Sequence, residues 1–314
     1  MKNSFVIGID IGGTNTVYGF IDHLGEIIEY NQISTNGSLP ADDLINRLEI
    51  HFKEFIKLNP GYILKGIGIG APNGNHLTGI IENPPNLNWG NIDIQARLKS
   101  IFSCEVILTN DANAAALGEK KYGVAKDMDD FIMITLGTGL GSGIYSGGNL
   151  IYGNDGLAGE MGHITIDMNG RKCNCGKYGC LESYVSATGI GKTINQMIKK
   201  NPEDKLLNSI KNGQLDGLKL DKAFDEDNKI AKKIYSYTGK MLGKGLALVA
   251  TLFSPEAFVF YGGFSNAGER IFKFANSEME KNLLLNQKGK INLIKSILPE
   301  GQAGILGASS LIKT

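Results

Sequence analysis

The chain has 314 residues, 42% of them apolar, and its 32 Lys plus Arg balance its 32 Asp plus Glu. That length suits two domains or one large one, and the balanced charge gives no electrostatic case for a nucleic acid or an anionic membrane as partner. No apolar run approaches the ~20 residues of a bilayer span, and Asp10 and glycines interrupt the Phe5–Ile9 run where a signal peptide would continue. The expected compartment is cytoplasmic.

The opening reads as three strands, Phe5–Asp10, Asn15–Ile21 and Glu26–Ile33. The first connection is DIGGTN, Asp10 to Asn15. It suits a plain tight hairpin whose Asp10 satisfies local amides. It equally suits a phosphate cradle, in which the amides of Gly12, Gly13, Thr14 and Asn15 hold oxygens, the Thr14 hydroxyl assists and Asp10 orients hydrated Mg2+. Pro40 sits at a plausible first helical position, and Leu44, Ile45, Leu48, Phe52, Phe55 and Ile56 recur at helical spacing, which predicts a helix covering one sheet face. Leu64–Gly70 is another strand. Gly66–Gly74 (GIGIGAPNG) and Glu82–Gly90 (ENPPNLNWG) read as connectors dense in Gly, Pro and Asn, with Trp89 either in the core or at a rim. The strand Val106–Thr109 ends at Asn110-Asp111, before an alanine-rich helix from Ala112 to about Lys121. Either residue can cap that helix, but a cap needs only one. Asp111 is then the candidate general base for a substrate hydroxyl.

The second half replays this order with strands Phe131–Leu136, Gly143–Tyr145 and Asn149–Ile151, a long amphipathic helix near Asp227–Phe253 and a strand Ala257–Tyr261. Its first turn, LGTGLGSG, is a second cradle, with the amides of Gly137, Thr138 and Gly139 and the Thr138 hydroxyl as phosphate contacts. A chain that uses this device twice points to phosphoryl transfer. The glycines there miss G-x-G-x-x-G and run into a strand, which disfavours a dinucleotide fold, and GIGKT at Gly189–Thr193 lacks the first P-loop glycine and reads as a helix start. Lys199–Asp227 predicts a helical surface excursion, and the Gly262-Gly263 turn after Tyr261 is either a plain strand-to-helix turn or a backbone rest for adenine. Ile291–Ile297 is strand-like and Ala303–Ile312 helical. Glycine, at 42 residues, far exceeds ordinary usage and is expected to gather in turns.

The sharpest local pattern is GEMGHITIDMNGRKCNCGKYGCLE, Gly159 to Glu182. His163, Cys173, Cys175 and Cys180 offer one imidazole and three thiolates, the number and softness for a structural tetrahedral Zn2+. One His163 nitrogen can take the metal while the other stays free to meet a substrate, with Glu160 and Glu182 alongside. Cys104, the fourth cysteine, reads as a small core residue.

Taken together and in this order, DIGGT, GAPNG, NDANAAA, LGTGLGSG, EMGH, CNCGKYGCLE and the late GG turn resemble the ROK family of repressors, open reading frames and kinases, over essentially the whole chain. The resemblance implies an α/β, actin-like (ribonuclease H-like, hexokinase-like) fold of two lobes about a cleft. The lobes are expected as 1–117 plus about 303–314, and 118–302 carrying the zinc knuckle 163–180. It also implies ATP and Mg2+ as cosubstrates, a hexose hydroxyl as nucleophile and Asp111 as catalytic base. Asn73, Asn110, Glu160, His163 and Glu182 become sugar ligands, alongside Asp111 itself. Gly262 and Gly263 join the nucleotide contacts, and a homodimer is the expected assembly. CLESYVSATGI is most similar to the zinc-containing bacterial glucokinases of the family, which implies phosphorylation of glucose at its 6-hydroxyl. Kinases of N-acetylmannosamine and N-acetylglucosamine share nearly all these motifs, and a sugar sensor without activity is the further alternative. Repressor members carry a winged helix-turn-helix before their DxGGT motif, whereas nine residues precede Asp10 here, so DNA-binding regulation is not expected.

Overall fold

The computed structural model describes residues 3–85, 87–210, 217–299 and 301–313. In chain order the elements are β1 (Asn3–Ile11), β2 (Asn15–Asp22), β3 (Ile27–Ser34), α1 (Ala41–Leu58), β4 (Tyr62–Ala71), α2 (Ile94–Phe102), β5 (Glu105–Asn110), α3 (Asp111–Tyr122), β6 (Phe131–Leu136), β7 (Leu140–Ser146), β8 (Asn149–Leu150), α4 (Glu182–Val185), α5 (Ala187–Lys200), α6 (Lys205–Ile210), α7 (Gly217–Asp225), α8 (Lys229–Phe253), β9 (Ala257–Tyr261), α9 (Glu269–Asn282), β10 (Asn292–Lys295) and α10 (Ala303–Ser309). They pack into two compact units, one of residues 1–127, 149–159 and 297–314, the other of 128–148 and 160–296.

The first unit carries a sheet in the order β3-β2-β1-β4-β5. There β1 pairs antiparallel with β2 and parallel with β4, which pairs parallel with β5. In the second unit, β6 pairs antiparallel with β7 and parallel with β9, which pairs parallel with β10. Strands β2-β1-β4-β5 and β7-β6-β9-β10 thus repeat one arrangement, the internal duplication that the two glycine turns announced.

Because strand side chains alternate faces, β1 sends Phe5, Ile7, Ile9 and Ile11 to one side and Gly8 and Asp10 to the other. The apolar side meets Leu44, Ile45, Leu48, Phe52 and Phe55 of α1 and Leu98 of α2, all buried. Phe20 stacks on Phe55 with ring centroids 3.6 Å apart. Trp89 joins this core and donates its indole N–H to the Leu39 carbonyl at 3.0 Å. The opposite face is floored with glycine. A Cβ at Gly8 would collide with the Ile305 carbonyl, one at Gly68 with the Ala308 carbonyl, and one at Gly307 with the Ala114 carbonyl. Helix α10 therefore lies backbone to backbone against both the sheet and α3. This corrects two expectations. The strand reading of Leu64–Gly70 holds, so the overlapping Gly66–Gly74 connector shrinks to the residues after Ala71, and the glycine excess is spent partly in strand interiors, where close helix approach demands it.

Other departures are small. Pro40 precedes α1 as its cap and accepts from the Asp43 amide at 3.0 Å. Helix α3 begins one residue early, at Asp111. GIGKT lies inside α5, whose cap is Ser186, so its reading as a helix start holds. The Lys199–Asp227 excursion contains α6 and α7, with 211–216 outside the described residues, as position 86 is within Glu82–Gly90. No helix among the described residues is long and apolar enough to cross a membrane.

Candidate active site

In the first unit, sheet register decides where the carboxylates fall. Asp10 on β1 is level with Gly70 on β4, which is level with Thr109 on β5. Asp111 follows two positions on, so both acids stand at the carboxyl edge of parallel strands, the usual place for chemistry in open α/β sheets. Burial first, and then the negative charge of Asp111, raises the Asp10 pKa from 3.8 to about 7. Burial also raises Asp111, against the hydrogen bonding of the Ala112 amide. Asn110 is the cap of α3, its Oδ1 accepting from the Ala112 N–H at 2.9 Å. Asp111 Oδ1 accepts from the same amide at 2.8 Å, so the two residues share it, and Asp111 offers its Oδ2 for a proton.

The turn after Asp10 is stretched open. The Gly12 amide donates to the Asn15 carbonyl at 2.9 Å, while the Thr35 hydroxyl donates to the Gly12 carbonyl at 2.7 Å and meets the buried Thr16 hydroxyl at 2.9 Å. Among the described residues, the exposed Gly13 and Thr14 amides find no partner in the protein. Asn73 follows β4 at φ 53°, and its Nδ2 donates to the Glu82 and Asn83 carbonyls at 3.0 and 3.2 Å, so Oδ1 is the atom left for a ligand.

In the second unit, the β6–β7 turn likewise leaves the Thr138 and Gly139 amides without a partner among the described residues. Each of these topologically equivalent hairpins thus presents an open amide pair of the kind that can hold an anion. Gly262, at φ 95°, closes β9 beside this turn. A Cβ there would stand 2.6 Å from the Leu136 carbonyl, so glycine is obligatory, and Gly263 opens the next single-turn helix.

The sequence Glu-Met-Gly-His forms one 3-10 turn over Met161–His163. At three residues per turn, positions i and i+3 eclipse, which brings the Glu160 carboxylate within 3.8 Å of His163 Nε2. The other ring nitrogen, Nδ1, lies 3.8 Å from Cys173 Sγ, and Cys175 and Cys180 Sγ are 3.6 Å apart. The four donor atoms of His163, Cys173, Cys175 and Cys180 all lie within 4.8 Å of one another. Zn–S bonds of about 2.3 Å in a tetrahedron place sulfurs roughly 3.8 Å apart, so the 3.6 and 3.8 Å contacts match a zinc site and the widest gap needs a contraction of at most about 1 Å. Burial, then hydrogen bonds from Cys175 and Cys173, push the Cys180 thiol up to about 12, so an incoming cation must displace its proton.

Glu182 has a second engagement that sequence reasoning missed. Its Oε2 accepts from the Leu140 amide at 2.9 Å, at the end of the glycine turn, while Oε1 lies 3.8 Å from Cys173 Sγ. Thr35 and Thr188 were missed as well. Both hold turn carbonyls from remote positions in the chain, and the only hint was a hydroxyl beside a strand or helix end.

The chain matches the ROK family over residues 6–314. It belongs to that family. It is 34% identical to a glucokinase of Halalkalibacterium halodurans, over 100% of this chain and 96% of the relative. It is 30% identical to the xylose repressor of Bacillus subtilis, over 99% of this chain and 77% of the repressor. A ROK-family glucokinase from Streptomyces griseus, solved with glucose and AMPPNP, superposes with a TM-score of 0.81 at 30% identity, over 98% of this chain and 99% of that one. The expected actin-like α/β fold is thereby established for this member of the family.

Proposed function

We propose that this protein is an ATP-dependent glucokinase that transfers the terminal phosphoryl group to the 6-hydroxyl of glucose. The observation that carries the reading is Asp111, a strand-end carboxyl of raised proton affinity with one oxygen uncommitted, in a chain with two open amide turns. Support for glucose comes from full-length similarity to glucokinases, one of them solved with glucose and an ATP analogue.

In this reading, Asp111 accepts the proton of the attacking hydroxyl as the oxygen moves in line on the terminal phosphorus. The open amides of Gly13 and Thr14, with Asn15 beside them, and those of Thr138 and Gly139 hold phosphate oxygens. The Gly12 and Gly137 amides, expected from the sequence to join them, are spent on the Asn15 and Gly139 carbonyls and shape the turns instead. Gly262 and Gly263 back the adenine. Asp10 would hold Mg2+, which when bound neutralises charge on the phosphates. Asn73, Asn110, Glu160, His163 and Glu182 position the sugar hydroxyls. Zinc in the cluster would fix the His163 ring through Nδ1 and leave Nε2 for the substrate and Glu160.

The test is an ADP-release screen over glucose, N-acetylmannosamine, N-acetylglucosamine and fructose, with metal content measured on the same sample. Turnover is expected with glucose above all others. Preference for an N-acetylhexosamine would transfer the assignment to that sugar, and sugar binding without any ADP release would replace the kinase with a sensor.

A further inference from the structure

The second glycine turn is a β-hairpin, yet most of what holds its tip comes from outside its own sheet. Three groups of one short segment grip it. Glu182 Oε2 accepts from the Leu140 amide at 2.9 Å, the Ala187 amide donates to the Gly137 carbonyl at 3.0 Å, and the Thr188 hydroxyl donates to the Thr138 carbonyl at 2.9 Å. That segment begins two residues after Cys180. It is tied to the cysteine knuckle again where the Leu181 amide donates to the Ile164 carbonyl at 3.0 Å, the residue after His163. On the other flank, the Met161 amide of the Glu-Met-Gly-His turn meets the Ser142 hydroxyl at 3.3 Å, and Gly162 packs against the Leu140 carbonyl. His163, Cys173 and Cys180, three of the four candidate metal ligands, therefore sit within a few residues of, or in contact with, groups that fix residues 137–142.

We infer that metal in the His163, Cys173, Cys175, Cys180 cluster orders the Gly137–Leu140 turn through the Glu182–Thr188 segment, which makes Glu182 and Thr188 positioning residues for that turn. A cluster with four separate donors can shift its backbone by the width of a thiol contact. Cross-linked by one ion, it holds Cys180 and the start of α4 in a single place. The Glu182 carboxylate and the Thr188 hydroxyl then arrive at the turn together. Among the described residues no equivalent connection reaches the β1–β2 turn, whose supports are Thr16 on β2 and Thr35 just after β3. Metal removal must therefore loosen one turn selectively. With the phosphate-cradle reading added, and only with it, the same loosening weakens nucleotide binding.

The experiment is amide hydrogen exchange on the full chain as purified, after treatment with a chelator, and after zinc alone is added back. Removing the acceptor of a hydrogen bond to a charged group exposes its amide by about tenfold or more. Exchange at Leu140 is expected to quicken by that factor in the chelated protein, with the Gly12 amide unchanged, and to recover with zinc. Thr188→Val is expected to quicken exchange at Gly137 and Leu140, the hydrogen-bonded amides of the turn, in zinc-loaded protein, and Thr188→Ser to restore it. Unchanged Leu140 exchange after the metal is gone overturns the inference. So does equal loosening of both turns, which would signal general unfolding. Titration with a non-hydrolysable ATP analogue separates the two readings. Selective loosening without loss of analogue affinity leaves the coupling intact and removes the phosphate-cradle assignment of that turn.

Discussion

The β1–β2 turn is held from close by, through the paired hydroxyls of Thr16 on β2 and Thr35 just after β3, whereas the β6–β7 turn is held from outside its sheet by Glu182, Ala187 and Thr188. The sheets behind them differ as well. Strands β1 and β4 present Gly8 and Gly68 to a helix backbone, while β6 and β9 bury Phe131, Met133, Phe258 and Phe260. The duplication kept strand order and open amides and let everything that supports them diverge. What a phosphate-type turn needs is unspent N–H groups on a rigid base, and the base can be built in more than one way.

The comparison breaks most sharply at the strand-end carboxylates Asp10 and Asp111 of the first unit. Asp111→Asn should lower kcat by about 10²- to 10⁴-fold, the range for loss of a general base, with glucose affinity by calorimetry nearly unchanged. Retained turnover would take the proton-accepting role from Asp111. Next comes the glycine floor. Gly68→Val drives a branched side chain into the Ala308 carbonyl and should cost about 3 kcal/mol in urea unfolding, at the upper end for overpacking. Comparable stability to wild type would mean that α10 can lift off the sheet without cost.

Asp10 gives a pH signature. Its folded pKa, about 7, lies above the 3.8 of an ordinary Asp, so the folded state binds the extra proton. That contribution to stability is complete below about pH 4 and is lost as pH rises through 7, with a slope of at most ~1.4 kcal/mol per pH unit from this one group. Asp10→Asn should flatten unfolding midpoints across this window, and an unaltered slope would show that Asp10 ionises freely. The smallest effect belongs to the first turn's own support. Thr35→Val strands the buried Thr16 hydroxyl and should cost about 1–3 kcal/mol, with Thr35→Ser close to wild type. Equal loss in both variants would put the effect in packing and not in the hydroxyl pair.

Much of this was legible because the signals were local. Alternation read β1 and β2, helical spacing read α1 and α8, and seven consecutive residues from Cys173 to Gly179, with Cys180 after them, spelled out most of a ligand set. What escaped was set by residues far apart in the chain. The need for glycine at Gly68 is invisible until α10, more than 230 positions later, is seen to lie on it, and at Gly70 until α3 does. Thr35 and Thr188 are ordinary hydroxyls until strand pairing and the knuckle deliver them to carbonyls they share no motif with. Asn110-Asp111 was ambiguous as a pair, and the geometry keeps both engaged, Asn110 in the cap position and Asp111 one residue on, each accepting from the Ala112 amide.

The seating of α10 has a bearing on how the chain matures. Every residue of the second unit lies before position 297, while the first unit stays incomplete until residues 303–309 reach the glycine floor. On a ribosome, which releases sequence in order, the part translated later can finish folding first. The half that begins emerging at once must wait with one side of its sheet bare, so a chaperone that shields nascent apolar surface would have its longest engagement there.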